Sequence, residues 1–174
     1  MSEKEKIFDH QHHQGREDLA GENRFGDLGH LILLFIFLGI WILDSFFLKF
    51  SIVQMDSRWL YLRIPLGIGI LLLSLWLARS GLNIVFGEVR EQPHAIRKGV
   101  FGIVRHPIYL GAILFYLGLL VLSLSLTAVA VWVVIIGFYM YLCRYEEQLL
   151  TKKFGDEYLA YMKKVPMLLP RLVK

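Results

Sequence analysis

Lys98-Gly-Val-Phe-Gly-Ile-Val-Arg-His-Pro-Ile-Tyr-Leu-Gly111 joins a basic, glycine-punctuated segment to an apolar run that continues to about Leu124. A membrane helix meets water within these residues. Pro107 suits the first turn of that helix, where a backbone N–H has no intrahelical partner to lose. His106 then stands at the cap, and Tyr109 falls about one turn on, near the same face. Arg105 adds a charge at the boundary. None of these polar groups helps a hydrophobic helix to insert, so the boundary reads as a place where something is bound.

The surrounding chain fits that reading. Of its 174 residues 56% are hydrophobic, mean hydropathy is +0.52, and the apolar residues come in blocks. The expected class is all-α, a polytopic membrane bundle of about four transmembrane helices. The blocks run from Leu28 to about Phe50, Leu60 to Leu82, Ile108 to Leu124 and Leu126 to Leu142. The last two have almost nothing between them and must form an antiparallel hairpin. Asp44 and Lys49 are expected to mark the far interface, with Trp41, Phe46, Phe47 and Phe50 as aromatic anchors and Arg63 snorkelling. Gly67 and Gly69 read as close-approach positions between helices, not as a nucleotide motif.

Residues 1–27 read as a polar tail and 28–174 as one membrane domain. His10-Gln-His-His13 lacks an acidic or cysteine partner at a telling spacing, so no metal site is expected there. No cleavable signal peptide is visible, and targeting is expected to rely on the first span. The single cysteine, Cys143, excludes an internal disulfide framework and a Cys-based zinc site. Residues 83–106 form the largest internal polar segment. Pro93 and glycines 87, 99 and 102 argue against a continuous helix there, so the segment is expected to be a functional interfacial loop. After the fourth block, Arg144-Tyr-Glu-Glu-Gln continues the helix into water, 154–162 reads as a short amphipathic helix, and Val165-Pro to Pro170 is extended.

Charge placement orients the bundle. The net charge of +4 is too small and scattered to suggest a nucleic-acid partner. Of the 19 Lys and Arg, 4 lie in residues 1–27, 3 in 49–63, 5 in 79–105 and 7 in 144–174. Four spans put the first, third and fourth groups, 16 of the 19, on one side. The positive-inside rule makes that side cytoplasmic, with both termini on it, in the inner membrane of a cell or an endomembrane.

His106, Tyr109 and the Glu146-Glu147 pair therefore share the cytoplasmic face, on neighbouring helices. A cavity lined by such groups suits a cationic cofactor that carries a ribose. Carboxylates accept from ribose hydroxyls, an aromatic face attracts a sulfonium, and backbone donors at a helix start hold a carboxylate. S-adenosylmethionine has all three features. No G-x-G-x-x-G follows a strand, which removes a Rossmann dinucleotide site.

Gly99 to Gly111 also resembles the G-x-Y-x-x-x-R-H-P-x-Y-x-G signature of the isoprenylcysteine carboxyl methyltransferase family and its relatives among phospholipid methyltransferases. Glu146-Glu147, Phe154-Gly-Asp-Glu-Tyr158, Tyr161 and Val165-Pro166 match that family's C-terminal pattern, and the resemblance covers about residues 75–172. It implies a cofactor pocket formed by the C-terminal half, about 83–172, in which His106, Tyr109 and Glu146, with Glu147 beside it, contact S-adenosylmethionine and afterwards its product S-adenosylhomocysteine. Phe101 stands where the family usually has a tyrosine, and His94, Ala95 and Ile96 align with a loop along the cofactor. The family's substrate-orienting arginine falls on Leu142 here, which leaves Arg144 and Arg105 as candidates for holding an anionic acceptor or lipid headgroup. Arg105 reads equally well as a positive-inside anchor.

The expected activity is S-adenosylmethionine-dependent methylation of a lipophilic acceptor arriving from the bilayer, with membrane lipids as partners. A sterol-reductase-like oxidoreductase using a nicotinamide cofactor is the enzymatic alternative. That reading predicts further phosphate-binding basic residues and a longer bundle. A non-catalytic membrane subunit is the other alternative, in which the His106, Tyr109 and Glu146 constellation is coincidence.

Overall fold

A computed structural model describes residues 24–54, 56–87 and 96–170. The histidine cluster at 10–13, His94 and Ala95 lie outside the described residues. Helix α1 spans Arg24–Ile42 and continues as a π-helical stretch, Leu43–Leu48. Helix α2 spans Leu60–Phe86, α3 Pro107–Ser123, α4 Leu126–Phe154 and α5 Asp156–Lys164. The described residues contain no strand, only an isolated bridge between Ile52 and Ser125.

Local chemistry accounts for the boundaries. Pro107 occupies the first turn of α3, and Leu124, in left-handed conformation at φ 58°, ends it. Ser125 caps α4, its Oγ accepting from the Ala128 N–H at 3.2 Å. Gly155, at φ 53°, breaks α4 from α5 where a side chain would be strained. Asp156 and Glu157 open α5 and Lys163 and Lys164 close it, matching the helix dipole. Helix formation begins at Arg24, within the polar tail expected to reach residue 27, and α2 runs to Phe86, past the expected Leu82. The polar connection is correspondingly shorter than the 83–106 expected, and it carries a 3-10 turn over Gly99–Gly102.

Among the described residues, three segments are long and apolar enough to cross a membrane: Leu28–Leu48 with 21 residues, Ser57–Phe86 with 30 and Leu126–Phe154 with 29. The fourth, α3, has 17 residues. At about 1.5 Å per residue it spans roughly 25 Å, a little less than the ~30 Å hydrocarbon core. It is also the most enclosed helix, burying Leu110, Gly111, Ile113, Tyr116, Gly118 and Leu120. The exposed side chains of the others include Phe35, Phe47, Leu72, Trp76 and Val134, as expected of surfaces whose solvent is lipid.

Helices α2 and α3 make the most extensive contact in the bundle, through small residues seven apart. A Cβ on Gly67 would lie 2.6 Å from Leu122 and 3.3 Å from the Gly118 carbonyl oxygen. A Cβ on Gly111 would lie 3.0 Å from the Ser74 carbonyl oxygen and 3.2 Å from the Ala78 nitrogen. Ser74 Oγ donates to the Gly111 carbonyl at 2.7 Å, and Gly81 meets Ile108 and Pro107. Gly67 thus serves the close approach expected of it. Gly69, expected to do the same, has nothing within 4 Å of its would-be Cβ. Across the bundle, Phe37 of α1 packs edge-on against Tyr116 of α3, centroids 4.6 Å apart, in a core shared with Ile113, Leu120, Ala128, Ile135 and Tyr139.

Asp44 does not mark a wetted interface. It is buried, with Oδ1 accepting from the Phe50 and Ser51 N–H groups, each at 3.0 Å, and Oδ2 from the Ser51, Ser125 and Thr127 hydroxyls. Intramembrane carboxylates persist where such donors converge. This one ties the end of α1 to the tight α3–α4 turn.

Candidate functional site

The candidate residues gather where α3 begins and α4 leaves the apolar zone. Arg105 sits just before the α3 cap, its side chain 7% exposed, and Glu147 faces it from α4 at 6%. Arg105 Nε donates to Glu147 Oε1 at 2.7 Å, while its Nη1 donates to the Met162 carbonyl at 3.0 Å and to the Val165 carbonyl. The Arg105 and His106 N–H groups donate to the Pro166 and Met167 carbonyls at 2.9 and 3.2 Å. The chain after α5 is thus strapped across the mouth of α3 by backbone and guanidinium together.

His106 lies between the two glutamates. Its Nε2 is 3.2 Å from Glu147 Oε1 and its Nδ1 3.5 Å from Glu146 Oε2. Burial by itself disfavours the charged imidazole. Contacts with Cys143, Glu146 and Glu147 outweigh it, so His106 stays protonated well above the ordinary histidine range. The Tyr109 hydroxyl donates to Glu146, and its ring lies parallel to the His106 ring, at 5° with centroids 5.7 Å apart. Glu146 is the more accessible acid, its side chain 18% exposed. The pair divides: Glu147 faces the buried arginine, Glu146 the edge of the cluster.

The sequence-predicted residues separate accordingly. Arg105, His106, Tyr109, Glu146 and Glu147 come together. Phe101 stands one layer away, half-buried against Val100 and Val104, its carbonyl accepting from the Tyr161 hydroxyl at 2.6 Å. Burial pushes that phenol up to about 12, which keeps it a donor. Ile96 is half-buried at the start of the described segment, and Arg144 is exposed on α4. Arg105, read equally as a holder of an anionic acceptor and as an anchor, is engaged by Glu147 and two carbonyls.

Two aromatic partners escaped the sequence reading. His30 of α1 stacks on Tyr139 at 5.0 Å and lies 5.4 Å from Tyr109, and Tyr109 and Tyr139 are themselves 5.4 Å apart. Tyr139, Cys143, Glu146 and Glu147 have the i, i+4, i+7, i+8 spacing of one helix face, a signal present in the sequence. His30 was detectable only as a lone histidine in an apolar block.

A family model described as phospholipid methyltransferase matches residues 62–157. Protein-S-isoprenylcysteine O-methyltransferase B of Arabidopsis thaliana is 35% identical over 118 residues, which cover 55% of this chain and 60% of that relative's length. The family match includes the Arg105–Tyr109 stretch and the helices that carry it, and the chain spans 60% of the relative's length.

Proposed function

Because this chain belongs to the phospholipid methyltransferase family, we propose that it is an integral-membrane, S-adenosylmethionine-dependent methyltransferase whose acceptor is a lipophilic molecule reaching the cluster from the bilayer. The observation that carries the proposal is the convergence of His106, Tyr109 and Glu146 at one mouth of the bundle. The donor set fits the cofactor. Glu146 offers a carboxylate at the accessible edge for ribose hydroxyls, and the Tyr109 ring offers a π face to a sulfonium. Ile96, His94 and Ala95 belong to the connection that, by resemblance, runs along it. When bound, S-adenosylmethionine supplies an electrophilic methyl group on a positively charged sulfur.

The chain's own residues orient and shield. Arg105 and Glu147 act as positioning residues, since their mutual bond and the carbonyls of Met162 and Val165 hold the C-terminal strap against α3. His106 contacts both glutamates and fixes the carboxylate of Glu146. Orientation and exclusion of water are the main contributions required of the protein. A carboxylate acceptor is ionised at neutral pH and needs no base. An amine acceptor has to arrive unprotonated, because Glu147 is already engaged. Arg144, exposed on α4, is our candidate for steering an anionic acceptor. The cluster and both chain ends are assigned to the cytoplasmic side, on the charge asymmetry.

Calorimetric titration of S-adenosylhomocysteine into the detergent-purified protein tests this. We expect micromolar binding, about −8 kcal/mol, weakened roughly tenfold or more by His106→Ala and by Glu146→Ala. No heat in folded protein, with a nicotinamide dinucleotide binding in its place, moves the assignment to the reductase. Wild-type affinity in both variants moves the site away from this cluster.

A further inference from the structure

A cavity lies at the other end of the bundle. It has a volume of about 610 Å³ and is lined by the end of α1, the α1–α2 connection, the first turns of α2 and the last of α3. The roughly 25 Å length of α3 separates it from Arg105 and His106. The size is within the range of small-molecule sites, roughly 300–1,000 Å³, and far beyond that of a single water. Its walls are Trp41, Phe46 and Trp59, and its polar groups include Ser45, Asp56 and Arg63.

Two of those groups are orphaned. Arg63 Nε and Ser45 Oγ are buried without a hydrogen-bond partner, although both line the same cavity. A guanidinium is permanently charged, and an Nε–H shut off from both water and an acceptor at the edge of hydrocarbon is costly. Nearby acids do not relieve it. Asp44 is saturated by hydroxyls and N–H groups, and the Asp56 carboxylate is held by Arg58, at 2.9 Å from Nη2 and 3.0 Å from the backbone nitrogen. Among the described residues no carboxylate pairs with Arg63. Ser45 belongs to the π-helical stretch of α1, a distortion that is frequent where function needs a side chain re-aimed. Phe46 and Trp59 at the rim are exposed, 61% and 52%, as aromatic residues at headgroup depth are.

The geometry points to a phospholipid-binding site: the cavity seats the phosphate of a glycerophospholipid from the leaflet opposite the Arg105–Glu147 cluster. Arg63 takes the phosphate by charge-assisted hydrogen bonds and Ser45 donates a further one. The acyl chains leave along Phe46, Trp59 and the exposed apolar face of α2. This lipid is a structural ligand and not a methyl acceptor, being a bundle length away from the cluster, so the inference does not depend on the methyltransferase reading.

Native mass spectrometry of the full chain, with dioleoylphosphatidylglycerol as the probe, tests it. One lipid is expected to survive the activation that strips annular lipid, whereas dioleoylglycerol, which lacks the phosphate, is lost. Arg63→Gln is expected to lower retention about tenfold or more and Ser45→Ala severalfold, with Arg63→Lys keeping most of it. Lys49→Gln, an exposed cation outside the cavity, is expected to change nothing. Melting curves establish that each variant is folded, and Ser45→Ala carries the test if Arg63→Gln is not. Equal retention of dioleoylglycerol overturns the assignment, as does wild-type retention in Arg63→Gln or an equal loss in Lys49→Gln. Millimolar inorganic phosphate displacing the lipid assigns the cavity to a free anion and also overturns the lipid.

Discussion

At the residue scale, adjacent glutamates of the same chemistry are set to different tasks by one turn angle of α4. Glu147 faces a buried guanidinium, so removing its charge strands Arg105 in a low-dielectric setting. Glu147→Gln is expected to cost about 3–5 kcal/mol, read as a large drop in melting temperature in detergent. Glu146→Gln is expected to leave melting nearly unchanged and to weaken S-adenosylhomocysteine binding instead. Equal melting losses in the two variants would contradict the division. His106 makes the same site pH-sensitive. Its folded-state value is raised above the ~6.5 of an unfolded histidine, so protonation favours the folded chain. Its stabilising contribution is complete below about pH 6.5 and is lost as pH rises through the folded-state value. Melting temperature is therefore expected to fall on the alkaline side, and His106→Gln to flatten that slope. A wild-type profile that stays level across the alkaline range counts against the protonated bridge.

At the scale of elements, α2 and α3 approach through a seam in which nothing larger than a glycine fits at key positions. In lipid, such packing replaces the hydrophobic drive available in water. A methyl on Gly111 meets backbone atoms of α2, at 3.0 and 3.2 Å, which cannot rotate away. Gly111→Ala is expected to destabilise the bundle by about 1–3 kcal/mol. Gly69→Ala meets open space and is expected to be neutral or to stabilise by up to ~1 kcal/mol through helix propensity. Thermal melts of the two single variants decide the matter, and a loss at Gly69 equal to that at Gly111 would refute the seam. The other end of α3 is secured differently, by the Asp44 carboxylate gathering five donors from two segments, 50–51 and 125–127. Asp44→Ala leaves these donors unmatched, and a cost of at least about 1–3 kcal/mol is expected.

At the scale of the whole molecule, the bundle of α1 to α4 has two unlike ends. The end carrying the cluster is the end rich in Lys and Arg, and the end carrying the Arg63 cavity is poor in them. Cysteine labelling in intact cells checks the orientation, because the native Cys143 is buried. A membrane-impermeant maleimide is expected to modify Gln54→Cys from outside, and Lys163→Cys only after permeabilisation. The reverse pattern overturns the cytoplasmic assignment of the cluster.

The sequence by itself determined the class of fold and the end of the bundle at which the candidate residues gather. Blocks of apolar residues long enough for a bilayer, Pro107 at a helix start and the positive charges on alternate connections are one-dimensional signals, because hydrocarbon leaves the backbone little choice but helix. It also brought Arg105, His106, Tyr109, Glu146 and Glu147 into one neighbourhood, since they lie at the same ends of helices joined by a tight hairpin. Only the tertiary structure decided their partners. Which glutamate meets Arg105, that Tyr139 and His30 stack beneath Tyr109, that Gly67 is buried and Gly69 is not, and that Asp44 is sealed within hydroxyls while Arg63 is left over a cavity all depend on helix rotation about the axis. A rotation of 100° per residue, fixed by packing between distant segments, leaves no reliable trace in an almost uniformly apolar helix.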